Sequence, residues 1–491
     1  MKLRRPEKEV HSPVLMLSTL MLGVFTGLFS ETALNMALTQ LMHEFSVVAG
    51  VAQWLVTGYL LTLAVFMPAS IILMKWFSTR SLIIIAVSLS FLGCLISGVS
   101  ENMMMLMTGR IVQAIGTAIL LPVLMSAALL IFPLHHCGKV MGVVGVSITL
   151  APALGPTISG LIITVLNWRA IFFICASMYI AALLLAIVAA ENVGDITHPR
   201  IDVISLLLSS IGFGGIICGL AALSENPASS VHFWGVFLMG ILCLIALFWR
   251  QTRILYPLIN TKIFSCPIFT VGSLIMMMSI MSVLATAIIL PIYFIDVLVM
   301  QPAMAGLILL PGNIVNVLFS PLIGALYNRY AMRPFIVFGS LCLALSATIF
   351  LIITHGFAEK WAIASAFMLL CFGVTCIIMP VQTAALSSLP KSLYSDGTSV
   401  WNTLYQISGA AGASIAISLM SSFTARAMNG KAGTPEIFAL SSGIHSVFYF
   451  IPGARFISCI ILVTRATTKN LIRYINQLIL LLFLLKQNDI F

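Results

Sequence analysis

The sequence predicts an all-α polytopic membrane protein, and three observations predict it. Of 491 residues, 60% are hydrophobic and 8% are charged, whereas a soluble domain carries about 25% charged residues. The apolar residues form runs long enough to cross a bilayer, which takes roughly 20 residues of helix. The basic residues gather on alternate sides of those runs. In lipid each backbone N–H and C=O must be satisfied within its own segment, and consecutive helices do this.

Fourteen spans follow in order: 13–38, 51–74, 81–99, 103–132, 139–163, 169–190, 202–223, 232–250, 267–294, 303–326, 333–354, 361–381, 399–422 and 437–463. If both termini lie on one side, that side holds 18 of the Lys and Arg residues and the other holds four. The bias places both termini in the cytoplasm of a cell-membrane protein. The run after MKLRRPEKEVHSP is too long for a signal peptide and lacks a small-residue cleavage site, so it is expected to be retained as the first span.

The net charge of +10 points to anionic lipid at the inner leaflet rather than to nucleic acid. Ten cysteines show no CxxC pair and fall mostly in apolar runs, where they act as small hydrophobes; neither disulfide nor metal site is expected. No phosphate-binding G-x-x-x-x-G-K-[ST] loop is present, so ATP is not the expected energy source. Fourteen scattered acidic residues make a membrane-embedded enzyme a remote alternative; the chain is not expected to be an enzyme.

A weak internal repeat links IILMKWFSTRSL (71–82) with GALYNRYAMRPF (324–335). Their offset of eight spans gives a six-helix unit, two inserted helices and a second six-helix unit, the parallel repeat of many secondary transporters. The expected organisation is a cytoplasmic N-terminus (1–12), a first bundle (13–190), two inserted spans (191–250), a linker (251–266), a second bundle (267–463) and an atypical cytoplasmic tail (464–491). Pro452 and Arg455 interrupt the last span, and LILLLFLL at 478–485 is too short to cross. The tail is expected along the inner surface, and an altered reading frame near Pro452 would account for it.

Several motifs carry a family resemblance. RIVQAIGTAIL at 110–120 resembles the fourth-helix pattern R-x-x-Q-G-x-G of the major facilitator superfamily, through Arg110 and Gln113. Gly142, Ala151, Gly155, Pro156, Ser159 and Gly160 match its fifth-helix antiporter motif, with Ala151 and Ser159 replacing glycines. Segment 324–333 follows the family's loop pattern, with Asn328 in place of Asp. The first-half loop departs further, with Lys75 and Ser78 at the Asp and Gly positions. SETALNMAL keeps Thr32, Asn35, Ala37 and Leu38 of the first-helix motif but moves its acid one place, to Glu31.

The resemblance covers roughly 13–450 and implies a major facilitator fold of 14 spans, of the drug:proton antiporter branch (multidrug efflux permeases of the EmrB/QacA type). It implies proton-coupled export of drugs or amphipathic or cationic molecules by alternating access. No cofactor is expected beyond the proton gradient. The expected partners are a small-molecule substrate, protons and membrane lipid, with a monomeric chain. A dedicated transporter of one metabolite, such as an amino acid or peptide, is the alternative.

Charge inside lipid costs several kcal/mol unless paired or hydrated, so Glu31 and Arg110 need a reason. Glu31 lies about 18 residues (~27 Å) into its span, and Arg110 about seven (~10 Å) from the other end of its own; both fall in the outer half. The proton-coupling candidates are Glu31, Arg110 and Gln113, with burial and the charge of Arg110 pulling the protonation of Glu31 in opposite directions. A structural ion pair and a simple interfacial location are the alternatives.

The resemblance gives the antiporter motif a place between the halves; ordinary small-residue packing is its plain reading. Lys75, Arg80, Gly324, Asn328, Arg329 and Arg333 are candidates for cytoplasmic gating loops. Asn35, Asn313, Asn316, Gln382, Asn402 and Gln406 either glue helices or line a cavity. Phe269 with Met276, Met277, Met278 and Met281 reads as lipid-facing filler, or else as a pliable wall. His135, His136 and Cys137 are expected in a solvated turn, and Glu101 and Asp296 in outer loops.

Overall fold

The computed structural model describes residues 12–132, 134–193, 202–225, 230–254, 261–327, 332–353, 360–390, 393–430 and 436–450. Among them are fifteen α-helices. The first group is α1 (Pro13–Ala33), α2 (Leu38–Phe45), α3 (Ala49–Trp76), α4 (Thr79–Gly98), α5 (Met103–Ile131), α6 (Leu134–Val165) and α7 (Trp168–Ala189). An inserted pair follows, α8 (Val203–Glu225) and α9 (Ser230–Gln251). The last group is α10 (Pro267–Ile292), α11 (Pro302–Tyr327), α12 (Met332–Ile353), α13 (Lys360–Ser387), α14 (Tyr394–Gly430) and α15 (Glu436–Phe450). Twelve described helices are long and apolar enough to cross a membrane, and two shorter apolar stretches are Ile204–Leu220 and Ile437–Phe448.

Short polar caps set the helix starts. Asn102 Oδ1 accepts from Met105 N (2.8 Å) to open α5, Asn167 Oδ1 from Ala170 N (3.1 Å) to open α7, and Ser78 Oγ from Ser81 N (3.3 Å) to open α4. Each satisfies an N–H that a helix start leaves orphaned.

The packing repeats. In the first group α4 and α3 pack on α5, α1 on α6, and α4 on α7. In the second, α12 and α11 pack on α13, α10 on α14, and α12 on α15. Two seams join the groups, α6 with α11 and α3 with α14, and the same correspondence exchanges them. The inserted α8 packs on α9 and lies over α3 and α14. Arg250 closes the α8–α9 pair by donating from Nε and Nη2 to Asp202 (3.1 and 3.0 Å), and Gln251 Nε2 donates to Ser205 Oγ (2.6 Å). The Arg250 bonds, with those from Ser205, outweigh burial and hold the Asp202 carboxyl below the usual carboxylate range.

The first span runs Pro13–Met36, its α-helix closing in a 3-10 turn at Leu34–Met36 before the eight-residue α2. Three expectations are corrected. His135, His136 and Cys137 lie within α6, whose helix starts at Leu134 rather than near 139. Phe269 and Met276 are fully buried instead of facing lipid; the Phe269 ring packs edge-on against Trp401 and Phe264. Asp296 sits in a π-helical turn, Tyr293–Val297, that continues α10 just past Pro291. Pro291 cannot donate its ladder bond, which relaxes the helix locally. The expected tail and the end of the last span lie outside the described residues.

Candidate functional site

Arg110 is fully buried on α5. Positions 110, 113 and 117 fall on one helix stripe, and that stripe carries Arg110, Gln113 and Thr117 toward α1 and α3. Arg110 Nη1 donates to Ser30 O (3.3 Å), Ser30 Oγ (3.0 Å) and Gln113 Oε1 (2.9 Å), and Nε to Leu55 O (3.4 Å). Its guanidinium lies 4.1 Å from the centre of the Tyr59 ring, a desolvated cation–π contact worth ~2 kcal/mol. Tyr59 OH donates to Gly27 O (3.1 Å) and shares a bond with Thr117 Oγ1 (2.9 Å). Gln113 Nε2 donates to Cys94 Sγ (3.2 Å), and Ser90 Oγ donates to Gln113 O (3.3 Å). Three helices are tied through one cation.

Glu31 contrasts with it. Its residue is 7% exposed, and Oε2 has no partner. The field of Arg110 reaches it, but Arg110 spends its bonds on Ser30, Gln113 and Leu55, and Nη2 is also unpartnered. The structural ion pair is therefore not formed. A carboxylate this buried and unpaired is the costly member of the cluster.

The small-residue stripe on α6 faces two neighbours. Thr32 Oγ1 donates to Pro152 O (3.2 Å), and a Cβ on Gly155 would strike that threonine's hydroxyl. On the other side Thr157 Oγ1 donates to Gly306 O (2.9 Å), and Ala303 N donates to Thr164 Oγ1 (3.0 Å). A Cβ on Gly160 would meet the Pro302 carbonyl. Ala151 and Ser159 are buried, and Gly142 lies further back on the helix. The stripe thus brings α6 against α11 across a seam, with Gly306 as its unforeseen counterpart.

Two further bonds cross between the groups: Gln53 Nε2 to Ser414 Oγ (2.9 Å), and Thr39 Oγ1 to Asp296 Oδ2 (3.4 Å). With the two at α6–α11, all four lie toward the end of the bundle that holds α2 and the α6–α7 turn. At that end Glu44 accepts from Trp168 Nε1 (2.6 Å) and Arg169 Nη1 (2.8 Å). Partial burial pushes the Glu44 carboxyl up, but the Trp168 and Arg169 bonds and the Arg169 charge outweigh it and leave it below the usual range.

The remaining candidates are spread out. Asn316 Oδ1 accepts from Thr375 Oγ1 (2.9 Å) and Ser320 Oγ (3.3 Å), tying α11 to α13. Asn313, Gln382 and Asn402 are half-buried on α11, α13 and α14 and join neither cluster. Asn35 and Gln406 are buried, each with an unpartnered oxygen. Arg80 ties α4 to α7 through Ile187 O (2.9 Å) and Asn192 Oδ1 (3.1 Å), within one group. Lys75 lies in the last turn of α3, Gly324 near the end of α11, and Arg333 is exposed at the start of α12. Asn328 and Arg329 lie outside the described residues. Sequence reasoning missed Tyr59 and Thr117, whose residue types are unremarkable inside an apolar run.

Residues 20–413 match the model of the Major Facilitator Superfamily. The chain belongs to that superfamily. It is a transporter and not an enzyme. It is 41% identical over 441 residues to the lincomycin resistance protein LmrB of Listeria innocua serovar 6a, covering 89% of this chain and 93% of that protein. It is 37% identical over 444 residues to the protein of the same name from Bacillus subtilis strain 168, covering 89% and 92%. Among solved structures, the peptide transporter POT in complex with sulfate superposes with a TM-score of 0.65 at 17% identity, covering 91% of this transporter and 95% of that chain. That likeness is one of fold.

Proposed function

We propose that this transporter is a drug:proton antiporter of the fourteen-helix branch, exporting lincosamide-type antibiotics across the cell membrane. Full-length relatives named for lincomycin resistance support the substrate class. One observation carries the coupling: the buried Glu31 carboxyl with its orphaned Oε2, beside an Arg110 whose bonds go elsewhere. A proton removes the desolvation burden of that carboxylate; opening to water, or an approach by Arg110 Nη2, releases it. Proton and substrate then compete for one state of the cluster.

The Lys/Arg bias puts both termini inside the cell, so the four bonds between the halves close the outer end. Stretches Ile204–Leu220 and Ile437–Phe448 serve as the two spans beyond the twelve. The halves rock about the α3–α14 and α6–α11 seams. One charge moved through 100 mV supplies about 2.3 kcal/mol, enough for a modest drug gradient. The chain works as a monomer and needs no cofactor.

The test is lincomycin susceptibility of a sensitive bacterial host. Wild-type protein is expected to raise the inhibitory concentration severalfold, and Glu31→Gln to return it to the vector level at equal membrane abundance. Full resistance conferred by Glu31→Gln would remove Glu31 from the mechanism.

A further inference from the structure

The two seams between the halves differ along their length. At the end that holds the inter-half bonds, α6 and α11 press together. Thr164 Oγ1 accepts from Ala303 N (3.0 Å), and a Cβ on Gly306 would stand 2.6 Å from the Pro156 carbonyl oxygen. Helix positions five full turns apart, ~27 Å along the axis, share one face. Val146 on α6 occupies the face of Thr164 and is 42% exposed. Gly324 on α11 occupies the face of Gly306, and a Cβ there would meet no described atom within 4 Å. The faces that are in contact at one end are uncovered at the other.

The seam of α3 with α14 does not part in this way. Gln53, Leu60 and Met67 lie on one stripe of α3 at heptad spacing, and all three are buried. Gln53 Nε2 reaches Ser414 on α14, and Leu60 lies 3.6 Å from where a Cβ on Gly409 would stand. The inserted α8 packs on both helices of this seam, and Ser418 Oγ of α14 donates to Leu220 O of α8 (3.5 Å). An inserted helix covers one seam; among the described residues, nothing equivalent covers the other.

We infer that the parted end of α6 and α11 is a lateral portal through which amphipathic small molecules enter from the inner leaflet, and that α8 closes the matching opening on the other side. The Lys/Arg bias sets the parted end at the cytoplasmic face, so the inference rests on the exporter reading above and adds the route by which cargo arrives. The lip of the portal is apolar: Leu318 and Leu322 on α11 and Val143 on α6 are exposed. Further toward the closed end, Asn313 is half-buried on the α11 stripe that carries Gly306 and Gly324. An apolar lip with an amide beyond it suits a molecule with an apolar body and a polar head. Such a molecule concentrates in the bilayer because its body leaves water there.

The test compares two cargoes in energised inverted membrane vesicles, whose outward leaflet is the inner leaflet of the cell. One is trimethylammonium diphenylhexatriene, a cationic probe that fluoresces only in lipid; the other is radiolabelled lincomycin, supplied from water. Wild-type protein is expected to clear the probe from the leaflet and to accumulate lincomycin. Val146→Trp fills the gap from α6 and Val317→Trp fills it from α11. Each should lower the ratio of probe clearance to lincomycin uptake at least tenfold, whereas a defect in folding or rocking slows both cargoes together. Leu207→Trp, on an exposed position of α8, should leave the ratio unchanged. An unaltered ratio in both portal substitutions, as expected if the cleft only holds a lipid acyl chain, overturns the inference and leaves the exporter reading standing. Wild-type protein that takes up lincomycin without clearing the probe does the same. Absence of lincomycin uptake by the wild-type protein overturns the exporter reading, and the inference with it.

Discussion

Arg110 and Glu31 are both ionisable residues buried within apolar helices, and the structure treats them differently. The guanidinium has acceptors on two neighbouring helices and a tyrosine face, so its burial is compensated. The carboxyl has nothing comparable. Arg110→Ala would leave Ser30 and Gln113 without their donor and Glu31 without its nearest positive field. Drug export should fall at least tenfold, equivalent to about 1.4 kcal/mol. Arg110→Lys keeps the charge but loses the planar fork, so it should retain an intermediate rate. Equal export by the two variants, measured in inverted vesicles, would show that the charge has no part.

At the scale of elements, α6 is held between α1 and α11 by residues too small to keep backbones apart. Gly160→Val places a branched side chain on the Pro302 carbonyl, an overpacking that costs about 1–3 kcal/mol. It should lower the melting temperature in detergent and impair export. A variant with unchanged stability and transport would show that the α6–α11 approach is not needed.

This interface also shows what could be read in advance. The glycine spacing on α6 was visible, but its counterpart on α11 was not, since Gly306 belongs to no motif and acquires meaning only through Pro156 and Thr157. The apolar runs were legible because lipid tolerates nothing else. The amphipathic α2 and the π-helical turn holding Asp296 were not, because their conformation follows from tertiary contacts and from Pro291. The proximity of Glu31 to Arg110 followed from depth along each span. The absence of a bond between them did not, because helix rotation is a packing result. Tyr59 was invisible for the same reason.

At the scale of the whole molecule, the four bonds between the halves named above, all among the described residues, lie at the same end as the Glu44 clamp. Glu44 is a carboxylate whose folded-state affinity for protons is lowered, so its contribution to stability is complete above the unfolded pKa of ~4.3 and is lost as the pH falls through the lower folded value. Wild-type protein in detergent should therefore lose thermal stability on acidification below that range more steeply than Glu44→Gln. Parallel curves for the two would remove the clamp from the account. The clamp holds the first half together at that end; in the proposed alternating-access cycle the bonds to Asp296, Ser414 and Gly306 break as the seams open.

The most direct measurement uses proteoliposomes with an acidic lumen and a lumenal pH dye, with empty liposomes as the control for passive drug entry. Adding lincomycin outside should drive drug inward and raise lumenal pH faster with wild-type protein than with Glu31→Gln. Lincomycin uptake at the same rate with and without the gradient, and without proton exit, would contradict proton-coupled export.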